Sequence, residues 1–239
     1  MKTDSPLRVH LMRHGKVDSH RGDLPLTDDG LKQAEAVGRR FSGELVSGEI
    51  ATLLYAPTRR ARETAEIIDR TLAKVYDSVD HPDFQLLAPA ENWALRNPDL
   101  YVAGRRVEMV SSAEAMAEKL LSSGLGPDEL MKLPFLRSFW EGSDRIGYWV
   151  NHPNPPGEDA DTVARRVLTF AGSLLDLPRE HPSRYFCITH SPVMRSFLRR
   201  YLFGRDPGEP DYVESVDMTF DPERSLTIRY REYSRSLAF

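Results

Sequence analysis

The chain has 239 residues, 40% of them hydrophobic, and a formal net charge of -4 at pH 7. That length allows one large domain with a sizeable core, and the mildly acidic balance argues against a general nucleic-acid or anionic-membrane binder. The one cysteine, Cys187, excludes an intrachain disulfide and points to a reducing compartment.

MKTDSPLRVHLM lacks a long apolar region after a basic start, and no run of about 18 apolar residues occurs anywhere. Neither a signal peptide nor a membrane span is expected, and the expected location is the cytoplasm.

LRVHLM (7–12) is dense in large apolar residues and reads as a strand that delivers Arg13, His14 and Gly15 at its end. LPLTDDGLKQAEAVGRRFSGEL (24–45) reads as a helix start and a helix. Thr27 suits its N-cap, Asp28 and Asp29 its first turn, and Leu31, Ala34, Val37 and Phe41 recur at helical spacing. ATLLYAP (51–57) is a second strand stopped by Pro57. A second helix follows over 58–75, with Thr58 as its cap and Ala61, Ala65, Ile68 and Leu72 on one face.

Residues 99–150 break this alternation. AEAMAEKLLSSGLGPDELMKLPFLRSFW is helical and punctuated by Gly124, Gly126, Pro127 and Pro134, so it reads as a helical insertion lying over the sheet edge. A proline-rich loop (150–159) leads to a long helix (161–177), then to a third strand ending at His190, and then to a helix closing near Gly204. The tail reads as two strands around a DPERS turn. The expected fold is a single α/β domain over 1–239. Its mainly parallel sheet is flanked by helices (three-layer α/β/α), with the helical insertion at about 99–150 and a C-terminal hairpin.

In open α/β sheets, ligands bind beyond the carboxyl ends of the strands. Arg13 and His14 follow strand one there, Arg59 and Arg60 follow strand two, and His190 ends strand three. Guanidinium forks match phosphate oxygens, and adjoining helix N-termini add N–H donors. A neutral imidazole can attack phosphorus while arginines hold the equatorial oxygens. Gly15 would let the backbone approach the ligand. Neighbouring arginines would keep His14 neutral, and a backbone carbonyl on its other nitrogen would fix its tautomer.

Other residues carry plainer readings. Ser191 lacks the Gly-x-Ser-x-Gly elbow of a serine hydrolase. Cys187 reads as a small buried hydrophobe. His152, Glu158 and His190 show no metal-ligand spacing. Phe135, Phe139, Trp140, Tyr148 and Trp149 read as the core of the insertion or a wall of the pocket.

Five segments, LMRHGKVD, GDLPLTDDGLKQA, YAPTRRARETA, PPGEDADTVARRV and FCITHSPVMRSFL, resemble in order the motifs of the histidine phosphatase superfamily, related to phosphoglycerate mutase. The resemblance implies that His14 is a nucleophile forming phosphohistidine, with Arg13 and Arg60 binding the phosphoryl group and His190 completing the pocket. It implies no metal and no organic cofactor. Gly15, His20 and Ser191 are the expected substrate contacts; His20 stands where the family commonly has asparagine.

The family's Leu-x-Glu acid is replaced here by Leu95-x-Asn97, and asparagine supplies no titrating proton. Glu91, beside Trp93 and after the apolar FQLL, is the preferred acid, with Asp99 and Asp83 as alternatives. The expected activity is phosphomonoester hydrolysis of a small phosphorylated substrate. A phosphoglycerate-type mutase and a weakly active phospholigand-binding protein are the rivals. The terminal hairpin offers an edge for a homodimer.

Overall fold

Leu7, Val9, Leu11 and Met12 are all buried, as a strand covered on both faces requires, and they place β1 (Leu7–Arg13) at the centre of the sheet. A computed structural model describes residues 6–20, 22–78, 84–177, 180–221 and 225–238. Asp83 and the Pro222–Arg224 part of the expected tail turn lie outside the described residues.

After β1 come α1 (Asp28–Ser42), β2 (Ile50–Tyr55), α2 (Arg59–Ser78) and β3 (Gln85–Glu91). The insertion follows as β4 (Asp99–Val102), β5 (Arg105–Glu108), α3 (Ala113–Lys119), α4 (Pro127–Leu130), α5 (Pro134–Glu141) and α6 (Arg145–Asn151). The chain closes with α7 (Ala160–Ser173), β6 (Ser183–Thr189), α8 (Ser191–Leu198), β7 (Ser215–Phe220), β8 (Ser225–Tyr230) and β9 (Tyr233–Ala238).

Seven strands form the main sheet in the order β3-β2-β6-β1-β7-β8-β9. The pairs β3–β2, β2–β6 and β6–β1 are parallel, and β7, β8 and β9 add antiparallel pairs. Helix α1 packs on α2, and α7 on α8, flanking the sheet. The sheet is therefore mixed, with the expected parallel arrangement in its β3-β2-β6-β1 core and helices on its faces.

Several elements differ from expectation for identifiable reasons. The insertion opens with the β4–β5 hairpin rather than a helix. Its turn holds Ala103 and Gly104 at φ 49° and 72°, a conformation seldom adopted by alanine. The tail carries three strands instead of a hairpin, because the chain reverses again at Arg231, φ 54°. Thr27 caps α1 as expected, accepting from the Gly30 N–H. Thr58 does not cap α2: the carboxylate of Asp23 takes the Arg59 N–H instead, at 2.8 and 3.0 Å. Helix α8 gives way at Arg199 to a wider π-turn that ends at Gly204, φ 72°. Among the described residues, no helix is long and apolar enough to cross a membrane.

Candidate active site

The parallel register sets the carboxyl ends of β1, β2 and β6 side by side, since Arg13 is level with Thr189 and Tyr55 with Ile188. The residues that follow these strands therefore converge. Arg13, His14, Arg60 and His190 line one cavity of about 460 Å³, together with His20, Thr58, Asn97, Glu108 and Ser191. The insertion supplies an apolar wall of Met109, Val110, Phe139 and Ile146.

His14 is almost fully buried at the end of β1. Its Nδ1 lies 2.8 Å from the Gly15 carbonyl, which can only accept, so the ring proton sits on Nδ1. Nε2 is left with its lone pair, 3.2 Å from the Arg60 Nε–H. Burial first, and then the Arg60 charge, hold His14 well below the usual imidazole pKa.

Arg60 Nη2 also reaches His190 Nδ1 at 3.5 Å. A guanidinium cannot accept, so neutral His190 carries its proton on Nε2. Burial followed by Arg60 depresses its pKa as well. His20, whose ring centroid is 5.7 Å from that of His14, is pushed down to about 4, chiefly by burial and then by Arg60. The three imidazoles are therefore neutral at pH 7 while the arginines beside them stay charged.

Three buried polar atoms around the cavity have no partner among the described residues: Arg13 Nε, Thr58 Oγ1 and His190 Nε2. All three can donate a hydrogen bond. A cluster of unsatisfied donors beside a neutral nucleophile suits an oxyanion-rich guest. Among the described residues, no group of three or more His, Cys, Asp or Glu side chains is placed to hold a metal ion.

Arg13 is held from the far end of the chain. Its Nη1 donates to the Pro210 carbonyl at 2.5 Å, and Nη2 pairs with Glu209 at 2.8 Å. Its guanidinium lies 4.1 Å above the Tyr212 ring. Glu209 also accepts from Ser191 Oγ at 2.5 Å, so the Ser191 hydroxyl is occupied within the protein. Glu209 and Tyr212 had no signature in the sequence, because they belong to a loop whose role appears only when it folds back over β1.

Three expected residues do not line the cavity. Gly15 does not line the cavity. A Cβ there would lie 2.9 Å from the Gly30 carbonyl oxygen and 3.3 Å from Leu26 Cδ2, so the glycine serves the close approach of α1 rather than a ligand. Glu91 ends β3 in a smaller pocket that adjoins the cavity and shares Asp23, Pro57 and Thr58 with it, on the opposite side of β2 from the histidines. Asp99 is bound by Arg96 and Arg106 and is not part of the cavity wall.

The carboxylate that does line the cavity from the hairpin is Glu108. Asn97 donates to its Oε1 twice, from the backbone at 3.2 Å and from the side-chain amide at 3.0 Å. The sequence offers a hint in retrospect: Val107 and Glu108 alternate inward and sideward on β5, opposite Leu100 and Asp99.

A mixed sheet with a parallel core, flanked by helices, is the phosphoglycerate mutase-like α/β fold. Over nearly the whole chain it is similar to phosphoglycerate mutase from Bacillus anthracis str. Sterne, at 14% identity and TM-score 0.56, covering 95% of this chain and 93% of that one. It is also similar to mycobacterial hydrolase 1, at 15% identity, TM-score 0.54 and 98% coverage of both chains. A mycobacterial glucosyl-3-phosphoglycerate phosphatase gives 17% identity, TM-score 0.53 and 97% coverage of both. No curated protein matches the chain. Residues 9–84 match the histidine phosphatase superfamily (branch 1), and that segment carries Arg13, His14 and Arg60. The chain thus resembles this superfamily in sequence over its first third and in fold over nearly its full length.

Proposed function

We propose that the chain is a phosphomonoester hydrolase that works through a phosphohistidine on His14. The observation that carries this reading is the state of His14: neutral, with Nδ1 fixed on the Gly15 carbonyl and the Nε2 lone pair held only by the Arg60 Nε–H in a cavity that His14 lines. A phosphoryl group entering the cavity displaces the Arg60 Nε contact from His14 Nε2. Arg60, Arg13 Nε, Thr58 Oγ1 and His190 Nε2–H then take its oxygens.

Nε2 attacks phosphorus, the N–P bond forms, and the electron pair of the breaking P–O bond leaves with the ester oxygen. Water then attacks phosphorus, and the N–P electron pair returns to His14. Tautomer fixation, desolvation and fixed cations are the elements such an in-line transfer needs. The apolar wall from the insertion receives the leaving alcohol.

The test is rapid acid-free quenching with a radiolabelled aryl phosphate, comparing the native chain with His14→Ala. Base-stable label on the native protein, its absence from the variant, and phosphate release only from the native chain are expected. Equal phosphate release from both would overturn the assignment. Isomerised phosphoglycerate without phosphate release would replace hydrolysis by mutase chemistry, and bound phosphate without labelling would leave a binding protein.

A further inference from the structure

We infer that Glu108 is the proton donor to the leaving alcohol and that Asn97 is its positioning residue. This inference rests on the phosphohistidine reading above. Four carboxylates line the cavity: Asp23, Glu108, Glu118 and Glu209. Asp23 has both oxygens on the Arg59 N–H and pairs with Arg60 at 3.6 Å. Glu209 has Oε1 on Arg13 and Oε2 on Ser191 and Arg195. Glu118 is exposed on the outer turn of α3.

Glu108 is different. It is partly buried, its charge acts on Arg60, and one of its oxygens is fully engaged by Asn97. Its Oε2 has no hydrogen bond among the described residues. One oxygen anchored and the other open is the arrangement that aims a proton at a fixed point.

The position explains the missing Leu-x-Glu carboxylate. Asn97 lines the cavity at the Leu-x-Asn site, and instead of titrating, it holds a carboxylate delivered from the neighbouring hairpin. The apolar Met109 and Val110 directly follow Glu108, so the donor sits at the seam between the phosphoryl cradle and the leaving-group wall.

The proton balances over the cycle. A phosphomonoester takes its second proton with a pKa of about 6, so the substrate itself can bring the proton to Oε2. As the P–O bond breaks, Oε2–H protonates the leaving oxygen and Glu108 becomes a carboxylate. That carboxylate then accepts a proton from the attacking water, and the N–P bond breaks.

The experiment follows formation of labelled phosphohistidine in single turnovers, from an aryl phosphate with a good leaving group and from an alkyl phosphate with a poor one. Glu108→Gln keeps the shape and removes the proton. It should label from the aryl phosphate at near the native rate and retain that label, because hydrolysis lacks its base. From the alkyl phosphate, labelling should slow by about 10²-fold or more.

Asn97→Ala should show the same selective slowing to a lesser degree, with an unfolding midpoint close to native. Glu91→Gln should label from both esters as the native chain does. Equal effects of Glu108→Gln on both esters, or none on either, would overturn the assignment, as would selective slowing in Glu91→Gln. His14→Ala is run in parallel: label or turnover persisting there would sink the phosphohistidine reading itself, whereas a silent His14→Ala with an unselective Glu108→Gln removes only this assignment.

Discussion

Arg195 is a sharp test of how this site is braced. It is 1% exposed as a side chain and lies on α8, one turn beyond His190. Its guanidinium meets Asp144 at 2.7 Å, Glu209 at 3.4 Å, and Asp206 in a short ion pair. Replacing it with Met keeps much of the volume and removes the charge. Asp144 and Glu209 are 59% and 47% exposed and can turn to water, whereas Asp206 is 9% exposed and cannot.

Leaving one buried partner uncompensated costs about 3–5 kcal/mol. With only one of the three carboxylates trapped, the low end, about 3 kcal/mol, applies. In a chain of this size each kcal/mol shifts Tm by about 2–4 °C, so Arg195→Met should melt about 6–12 °C lower in calorimetry. Asp144→Ala should lose about 1 kcal/mol, the cost of the N-cap it gives α6. Arg195 also steadies Glu209, which holds Arg13, so the KM for an aryl phosphate should rise in the folded Arg195→Met protein. A Tm change below about 2 °C would refute the reasoning, because it would mean that the network is solvated and carries no trapped charge.

Arg60→Ala should lower kcat/KM for an aryl phosphate by about 10²–10³-fold, and Arg60→Lys should recover little of it, since one ammonium cannot span His14 and His190. Protonation of Nε2 blocks attack, so the depressed His14 pKa puts the acid limb of the kcat/KM profile below pH 6.5. Because Arg60 contributes to that depression, Arg60→Ala should move the limb upward.

The same shifts set stability against pH. With folded pKa values below that of the unfolded chain, the unfolded state binds protons that the native state refuses, so stability falls as pH drops below 6.5. His20, held at about 4, adds roughly 1 kcal/mol to that fall between pH 6 and 5, and His20→Asn should flatten the denaturation series by that amount. Gly15→Ala, which crowds the Gly30 carbonyl, should cost about 1–3 kcal/mol in stability and leave KM unchanged, a pairing that substrate contact by Gly15 would not give.

Where local signals and burial agreed, the sequence was readable. Strand β1, the Thr27 cap and the convergence of Arg13, His14, Arg60 and His190 at one end of the sheet all follow from apolar runs ended by functional residues. Strand β3 was not legible because it is an edge strand with mostly exposed residues, and Pro89 interrupts it where its register against β2 shifts. The β4–β5 hairpin was hidden by a turn that puts alanine at positive φ. The hairpin also decides which carboxylate stands beside Asn97: Glu108 is eleven residues away along the chain and meets it only through the β4–β5 pairing, whereas FQLL and Trp93 draw a sequence reading to Glu91. The carboxylates on Arg13 and Arg195 were illegible for another reason, since they arrive from a loop with no regular structure of its own.

That loop has a consequence for the timing of synthesis. Arg13 gives its N–H to the Glu214 carbonyl, receives the Val213 N–H, and has its guanidinium fixed by Pro210, 197 positions later. At about 5–20 residues per second, a ribosome releases β1 roughly 10–40 s before the segment that clamps Arg13. β1 waits equally for β6 and β7, its two neighbours in the sheet. The emerging polypeptide therefore carries Arg13 without its partners until residues 183–220 have followed it.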